Sequence, residues 1–205
     1  MKLILARHGQ TDWNRDQRIL GLMDIHLNEE GRRQARALAR SLKEKPLEAI
    51  YSSPLSRALD TARAIAQFHP LEVQVIQGLQ EMDSGDGEGL LSPEFRERYG
   101  YILRQGADVR FPGGESLREV QERGWGAVED IRARHPGGTV LAVSHTLAII
   151  AVLYRALGLD LGRWGSMRME PASVSILEFV PQGLRLALFN DTCHLREDTQ
   201  QGSHK

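Results

Sequence analysis

Two apolar runs of strand length, Leu3 to Ala6 and Thr139 to Ser144, lie far apart in the chain, and a histidine stands just beyond each. The second run leads straight into His145 and then into a helical stretch, Leu147 to Leu157, that Gly158 stops. His8 follows the first run in the same way, after Arg7. In open α/β sheets ligands bind in the crevice outside the C-terminal ends of the strands. Two histidines placed there can converge although most of the sequence separates them.

The stretches between these runs alternate strand-length apolar segments with segments of helical period, the pattern of an α/β layer fold with a mainly parallel sheet flanked by helices. Asn28 can cap a first helix with Glu29 and Glu30 at its positive end; Ala35, Leu38, Ala39 and Leu42 form its apolar stripe, and Pro46 marks its end. Ala49 to Ser52 reads as a short strand. After Pro54, Ala58, Ala62, Ile65 and Ala66 keep helical spacing up to Pro70, and Val73 to Ile76 reads as a third strand. The glycine-rich, acidic stretch from Glu81 to Pro93 has no period and reads as a loop. Ser116 and Glu119 make a capping box for a helix with Val120, Ala127, Val128 and Ile131 on its core face, closed by Pro136-Gly137-Gly138. Val174 to Val180 and Leu184 to Phe189 read as a closing hairpin.

A chain of 205 residues suits one core, and we expect a single domain over residues 1–198 with a flexible tail at 199–205. With 41% hydrophobic and 26% charged residues and a formal net charge of -1, a disordered chain and a nucleic-acid-binding face are both excluded. Cys193 is the single cysteine, which rules out an internal disulfide and suits a reducing, cytoplasmic setting. The short apolar start before Arg7 leaves no room for a signal peptide, and no stretch approaches a membrane span, so no membrane partner is expected.

Around the two histidines the sequence supplies the chemistry of a dianion pocket. Arg7 and Arg57 offer planar forks suited to phosphate oxygens, and Asn14 can donate from the His8 loop. Gly9 lets the backbone approach a ligand closely. One imidazole supplies a nucleophilic nitrogen and the other a cationic donor. By itself, Arg57 would read as a surface ion pair with Asp60. Asp83, Asp86, Glu88, His26 and His194 show no metal-ligand spacing, and no metal or cofactor is expected. Trp125 and Trp164 read as packing residues, and Cys193 as a small packed side chain.

Arg7-His8-Gly9-Gln10-Thr11-Asp12-Trp13-Asn14 resembles the RHG signature of the histidine phosphatase superfamily, which includes the cofactor-dependent phosphoglycerate mutases. Further similar stretches follow in order: Leu27 to Gly31 with Gln34-Ala35, Ser52 to Ala58 with Thr61-Ala62, and Val143-Ser144-His145. The resemblance implies the three-layer phosphoglycerate mutase-like fold and a metal-independent phosphomonoesterase acting on a small phosphorylated metabolite. It implies a phosphohistidine on His8, with Arg7, Asn14, Arg57, His145, Gln10 and Thr146 around the phosphate. Glu81 is the candidate proton donor, held protonated beside the phosphate, and Asp83 is the next. Glu81 to Gly89 is similar to the family's E-x-x-x-G-x-W-E-G stretch, with Gly87 in place of the customary tryptophan.

A mutase of this superfamily usually carries an E-R-H-Y-G stretch at the acid, which Glu81-Met82-Asp83-Ser84-Gly85 does not reproduce, so hydrolysis is favoured over the mutase alternative. An inactive phospho-ligand-binding relative is the alternative of another class, but it would not need His8, His145, two arginines and a carboxylate together. Thr146 after His145 and the Asn190 to Leu195 tail resemble the metal-independent phosphoserine phosphatases, although related tails occur in phosphatases of other specificities. The specificity pocket is expected from the loop Glu81 to Pro93, the helix after it and the residues after Arg18; Arg18, Arg96, Arg98 and Arg104 read equally as partners for a substrate carboxylate and as exposed helix or loop charges. Dimers are common in the superfamily, and a homodimer stays open.

Overall fold

The structure is a computed structural model that describes residues 1–196; the expected tail, 199–205, lies outside the described residues. One sheet of six strands runs in the order β3-β2-β4-β1-β5-β6. Its strands are β1 (Lys2–Arg7), β2 (Leu47–Ser52), β3 (Val73–Val75), β4 (Thr139–Ser144), β5 (Val174–Val180) and β6 (Gly183–Asp191). β1, β2, β3 and β4 pair in parallel, whereas β5 joins β1 antiparallel and β6 joins β5. The expected closing hairpin thus forms the edge of the same sheet.

The helices are α1 (Asp12–Arg15), α2 (Glu29–Leu42), α3 (Ser56–Ala66), α4 (Ser92–Gln105), α5 (Leu117–Arg134) and α6 (Thr146–Ala156). Strand residues alternate between the two faces, and each face has its own core. Leu3, Leu5, Val140 and Ala142 pack with α4, α5 and α6 through Phe95, Val128 and Ile149. Ile4, Ala6, Leu141 and Val143 pack on the other face with Leu38 of α2 and Ala62 of α3. Four buried strand positions in a row, two to each side, explain why β1 and β4 read as unbroken apolar runs.

Helix starts follow their local chemistry. The Asn28 side chain accepts from the Gly31 N–H at 2.8 Å, and Ser116 and Glu119 close the capping box on α5. Two boundaries differ from the sequence reading. Thr11 and Asn14 bond reciprocally and wind the short α1 inside the loop after His8. Pro93, expected in the loop, sits in the first turn of α4, where proline's missing N–H costs nothing.

Candidate active site

β1 and β4 are parallel neighbours with Arg7 opposite Ser144. The next residue on each strand therefore leaves the sheet at one level, and the rings of His8 and His145 lie with centroids 5.0 Å apart. Both histidines are buried. The Nδ1 of His8 lies 2.7 Å from the Gly9 carbonyl, which can only accept, so Nδ1 carries the proton. Nε2 then bears the lone pair and has no hydrogen-bond partner among the described residues. Burial, with the charges of Arg57 and Arg7, pushes the His8 pKa well below the ordinary 6.5, and the bond to Gly9 only partly opposes this. A neutral imidazole at neutral pH follows.

β2 flanks β4 on its other side and delivers Ser53 and Arg57. Arg57, the second residue of α3, is 0% exposed, so it is no surface partner of Asp60, which lies by Arg63 and His26. Its Nη1 donates to the Met23 carbonyl at 2.7 Å, its Nη2 to the Gly21 carbonyl at 2.9 Å and its Nε to Nδ1 of His145 at 3.3 Å. Since a guanidinium can only donate, Nδ1 of His145 is the acceptor and Nε2 carries the hydrogen, donated to Ser53 Oγ at 2.8 Å. Burial, with Arg57, His8, Arg7 and Arg123 around it, lowers the His145 pKa well below 6.5. The sequence reading of a cationic His145 is thus corrected: the ring is neutral, because it is buried, its Nδ1 accepts from Arg57 and two guanidinium groups stand beside it.

Arg7 donates from Nη1 to the Met169 carbonyl at 2.6 Å, while its Nε is buried without a partner among the described residues. Burial lowers its pKa to about 10, against the pull of Glu81 and Glu170, so it stays charged at neutral pH. An unpartnered guanidinium N–H beside two histidines is a ready anion donor. Asn14 spends its Oδ1 on Thr11, leaving its NH₂ as donor. Thr146 opens α6 directly after His145. Gln10 turns the other way: its Oε1 accepts from Asn28, and it lines a surface groove with Arg32 and Arg36 rather than the histidine pocket. Gly9 also has a different use from the one expected, since a Cβ there would lie 2.5 Å from the Gly31 carbonyl oxygen. Its bareness lets α2 close against the His8 loop.

The Glu81 carboxylate accepts from the N–H groups of Met82 at 2.8 Å, Leu147 at 3.2 Å and Ala148 at 3.3 Å, which places it at the N-terminus of α6 beside His145. Asp83, the other candidate, folds back on its own turn, its Oδ1 accepting from the Gly85 N–H at 2.9 Å. Arg123 of α5 pins the strand of loop that carries Glu81. Its Nη1 and Nη2 donate to the carbonyls of Gly78, Gln80 and Glu81, and its Nε and Nη2 pair with Glu115 at 2.8 and 2.9 Å. Ser144 Oγ adds a bond to the Leu79 carbonyl at 2.7 Å. Glu88 accepts from the Leu22 N–H at 2.6 Å, gripping from one side the turn that Arg57 grips from the other. Burial raises the Glu88 pKa above the usual carboxylate value.

Sequence reasoning passed over Ser53, Arg123 and Glu88 as parts of the site. Ser53 carried a faint signal, since it directly follows a strand in a loop that also holds Arg57. Arg123 carried none: one arginine in a helix rich in charge looks like any other. Trp164 is half-buried and lines a cavity beside the site, and Cys193 is exposed rather than packed. Among the described residues, no group of three or more His, Cys, Asp or Glu is arranged to hold a metal ion, and no helix is long and apolar enough to cross a membrane.

A six-stranded, mostly parallel sheet that presents two buried histidines and two arginines at adjacent strand ends defines a phosphoryl-transfer enzyme of the histidine type, and the chain belongs to the histidine phosphatase superfamily (branch 1), whose family model matches residues 3–192. Among its relatives, phosphoserine phosphatase 1 of Hydrogenobacter thermophilus is 39% identical over 96% of this chain and 95% of that one. Its structural neighbours include a mutant phosphoserine phosphatase of Entamoeba histolytica in complex with phosphoserine, 30% identical with a TM-score of 0.87 over 95% of this chain and 98% of that one. A mycobacterial glucosyl-3-phosphoglycerate phosphatase complexed with VO3 is 31% identical with a TM-score of 0.86, over 93% and 99% of the two chains.

Proposed function

We propose that the chain is a metal-independent phosphomonoesterase that hydrolyses small phosphorylated metabolites through a phosphohistidine on His8, as a single domain in the cytoplasm. The observation that carries this reading is the protonation state of His8: its hydrogen is spent on the Gly9 carbonyl, leaving Nε2 unprotonated in a pocket walled by guanidinium groups.

In the first step Nε2 attacks phosphorus in line, and the P–O bond to the alcohol breaks. The leaving alkoxide oxygen takes its proton from Glu81, the proposed general acid, which is left as the carboxylate that the Met82, Leu147 and Ala148 N–H groups hold. Arg7, Arg57 and Asn14 hold the equatorial oxygens with donors already in place before the substrate arrives, and Thr146 and His145 turn to them once the phosphate is bound. A bound dianion also reverses the local field that keeps His145 neutral, which favours its protonation. In the second step Glu81 takes a proton from water, the water oxygen attacks phosphorus, and Nε2 leaves with its lone pair. Two displacements at one phosphate site need only one set of charges.

The relatives' names put phosphoserine and phosphoglycerates on the substrate panel. Phosphate release from phosphoserine, 3-phosphoglycerate, sugar phosphates and p-nitrophenyl phosphate is measured with EDTA present, and the protein is then tested for acid-labile phosphate. Release unaffected by EDTA, with acid-labile label that His8→Ala abolishes, is the expected result. EDTA-sensitive release would remove metal independence. Interconversion of phosphoglycerates without release would replace the reading with a mutase, and binding without turnover would replace it with a phospho-ligand-binding protein.

A further inference from the structure

A cavity of about 330 Å³ lies beside the site and has no part in the phosphate chemistry. Two residues whose N–H groups hold the Glu81 carboxylate line it: Met82, the residue after Glu81, and Leu147. Since Glu81 is the proton donor to the leaving oxygen in the reading above, on which this inference rests, the cavity lies where the alcohol half of a substrate must go.

Its walls are apolar. Ile19, Met82, Phe95, Phe111, Leu147 and Trp164 form most of the surface, and the polar lining among the described residues is Ser84, Ser92 and Arg96. Arg96 is exposed and donates to the Ser92 carbonyl, so the one charge belongs to the rim. Of the other arginines considered for a substrate carboxylate, Arg18 bonds the Gly89 carbonyl, and Arg98 lines a separate shallow depression with Glu94 and Glu97.

Gly87 accounts for the aromatic wall. A Cβ at this position would come within 2.4 Å of Phe95 Cε2, so the missing side chain makes room for the Phe95 ring, which stacks on Phe111 at 5.3 Å between centroids. With no side chain at Gly87, the aromatic bulk against this loop comes from Phe95 on α4, which lines the cavity.

We propose that this cavity binds the alcohol half of the substrate and selects phosphomonoesters with an apolar, aromatic or branched body over those bearing a carboxylate and an ammonium group. Phosphoserine would place two charges against walls that offer one exposed cation and two hydroxyls, leaving charge desolvated without partners. An apolar body gains contact with the ring faces instead. One or two methylenes in such a pocket change kcat/KM by about tenfold or more.

The test compares kcat/KM for 2-phenylethyl phosphate, n-propyl phosphate, phosphoserine and 3-phosphoglycerate. The first two leave as primary alcohols of similar acidity, and serine is the better leaving group, so chemistry alone would favour phosphoserine. A 2-phenylethyl phosphate value about tenfold or more above phosphoserine supports the proposal, and phosphoserine or 3-phosphoglycerate equal to or above it overturns it. Trp164→Ala should lower 2-phenylethyl phosphate about tenfold and leave n-propyl phosphate within about twofold; equal losses on both, with the circular dichroism unchanged, would also overturn it. If Trp164→Ala does not fold, Arg96→Leu at the exposed rim decides: it should widen the preference for the aromatic ester, and an unchanged or narrowed preference counts against the cavity. Calorimetric binding of the same esters to His8→Ala separates the two readings. Tight binding of 2-phenylethyl phosphate without turnover in the wild type would sink the catalytic reading and keep the cavity's selectivity, while turnover with no preference would do the reverse.

Discussion

At the scale of single residues, the site depends on which nitrogen of each histidine carries a proton, and neighbours that accept or only donate decide this. The Gly9 carbonyl fixes His8, and Arg57 together with Ser53 fixes His145. His8, Arg7, Arg57 and His145 were legible in the sequence because each sits at a strand end or just past one, in a short stretch of recognisable spacing. Ser53 was not, since its importance lies in one buried bond to a ring from another strand. Ser53→Ala leaves the Nε2 hydrogen of His145 without an acceptor at a buried position, at a cost of about 1–3 kcal/mol. If the cost falls on the transition state, kcat/KM drops by about tenfold to a hundredfold. Steady-state kinetics on a fast substrate check this, and a value within twofold of wild type would mean that Ser53 merely fills space. The pH profile gives a second check. Because burial and the two arginines lower the His8 pKa, kcat/KM should not lose activity on account of His8 until the pH is well below 6.5. An acid limb centred at 6.5 or above would contradict the buried, arginine-flanked ring.

At the scale of elements, segments from three places in the chain are tied to one another around the histidines, and most of those ties are invisible in sequence. The parallel strands, α2, α3, α5 and α6 announce themselves through period and caps. The segment from Gly78 to Asp83 does not, because bonds from Arg123, Ser144 and Glu115 set its order. The turn at Gly21 is similar: Arg57 takes its carbonyls, Glu88 takes an amide, and Gly21 has φ +51 with a Cβ position that would fall inside the Glu88 carboxylate. Gly21→Ala therefore combines about 1–2 kcal/mol of backbone strain with displacement of Glu88. We expect a lower Tm together with a fall in kcat, since Arg57 loses the turn that orients it. A variant with wild-type kcat and only a lower Tm would show that the turn is scaffold alone. Arg123→Ala should behave differently. It frees the carbonyls of Gly78, Gln80 and Glu81 and takes from Glu115 its cation, so kcat should fall more than KM changes. A change confined to Tm would remove Arg123 from the positioning of Glu81.

At the scale of the whole molecule, the phosphate site sets how stability responds to acid. His8 and His145 are both buried with pKa values lowered by burial first and by neighbouring arginines next. For a group whose folded pKa lies below its unfolded value, the unfolded chain binds the proton first, so stability rises with pH between the two values. The two histidines therefore contribute their full stability above 6.5, the ordinary histidine value, and lose it as the pH falls below that point. Each titrating group adds a slope of at most about 1.4 kcal/mol per pH unit, and the pair at most about 2.7. This window lies above the range where ordinary carboxylates titrate, and urea unfolding between pH 7.5 and 5.0, compared with His8→Gln, separates the His8 share from that of Glu88, whose raised pKa acts with the opposite sign. His8→Gln should cut the slope by about one proton. A dianion opposes the loss: inorganic phosphate at a hundred times its Kd adds about 2.7 kcal/mol, provided it binds only the folded chain. That stabilisation should shrink in Arg7→Leu, since the Arg7 Nε is a buried donor without a partner among the described residues. A stability flat between pH 7.5 and 5.0, or a phosphate shift equal in wild type and Arg7→Leu, would mean that the buried charges and the anion site are not the same place.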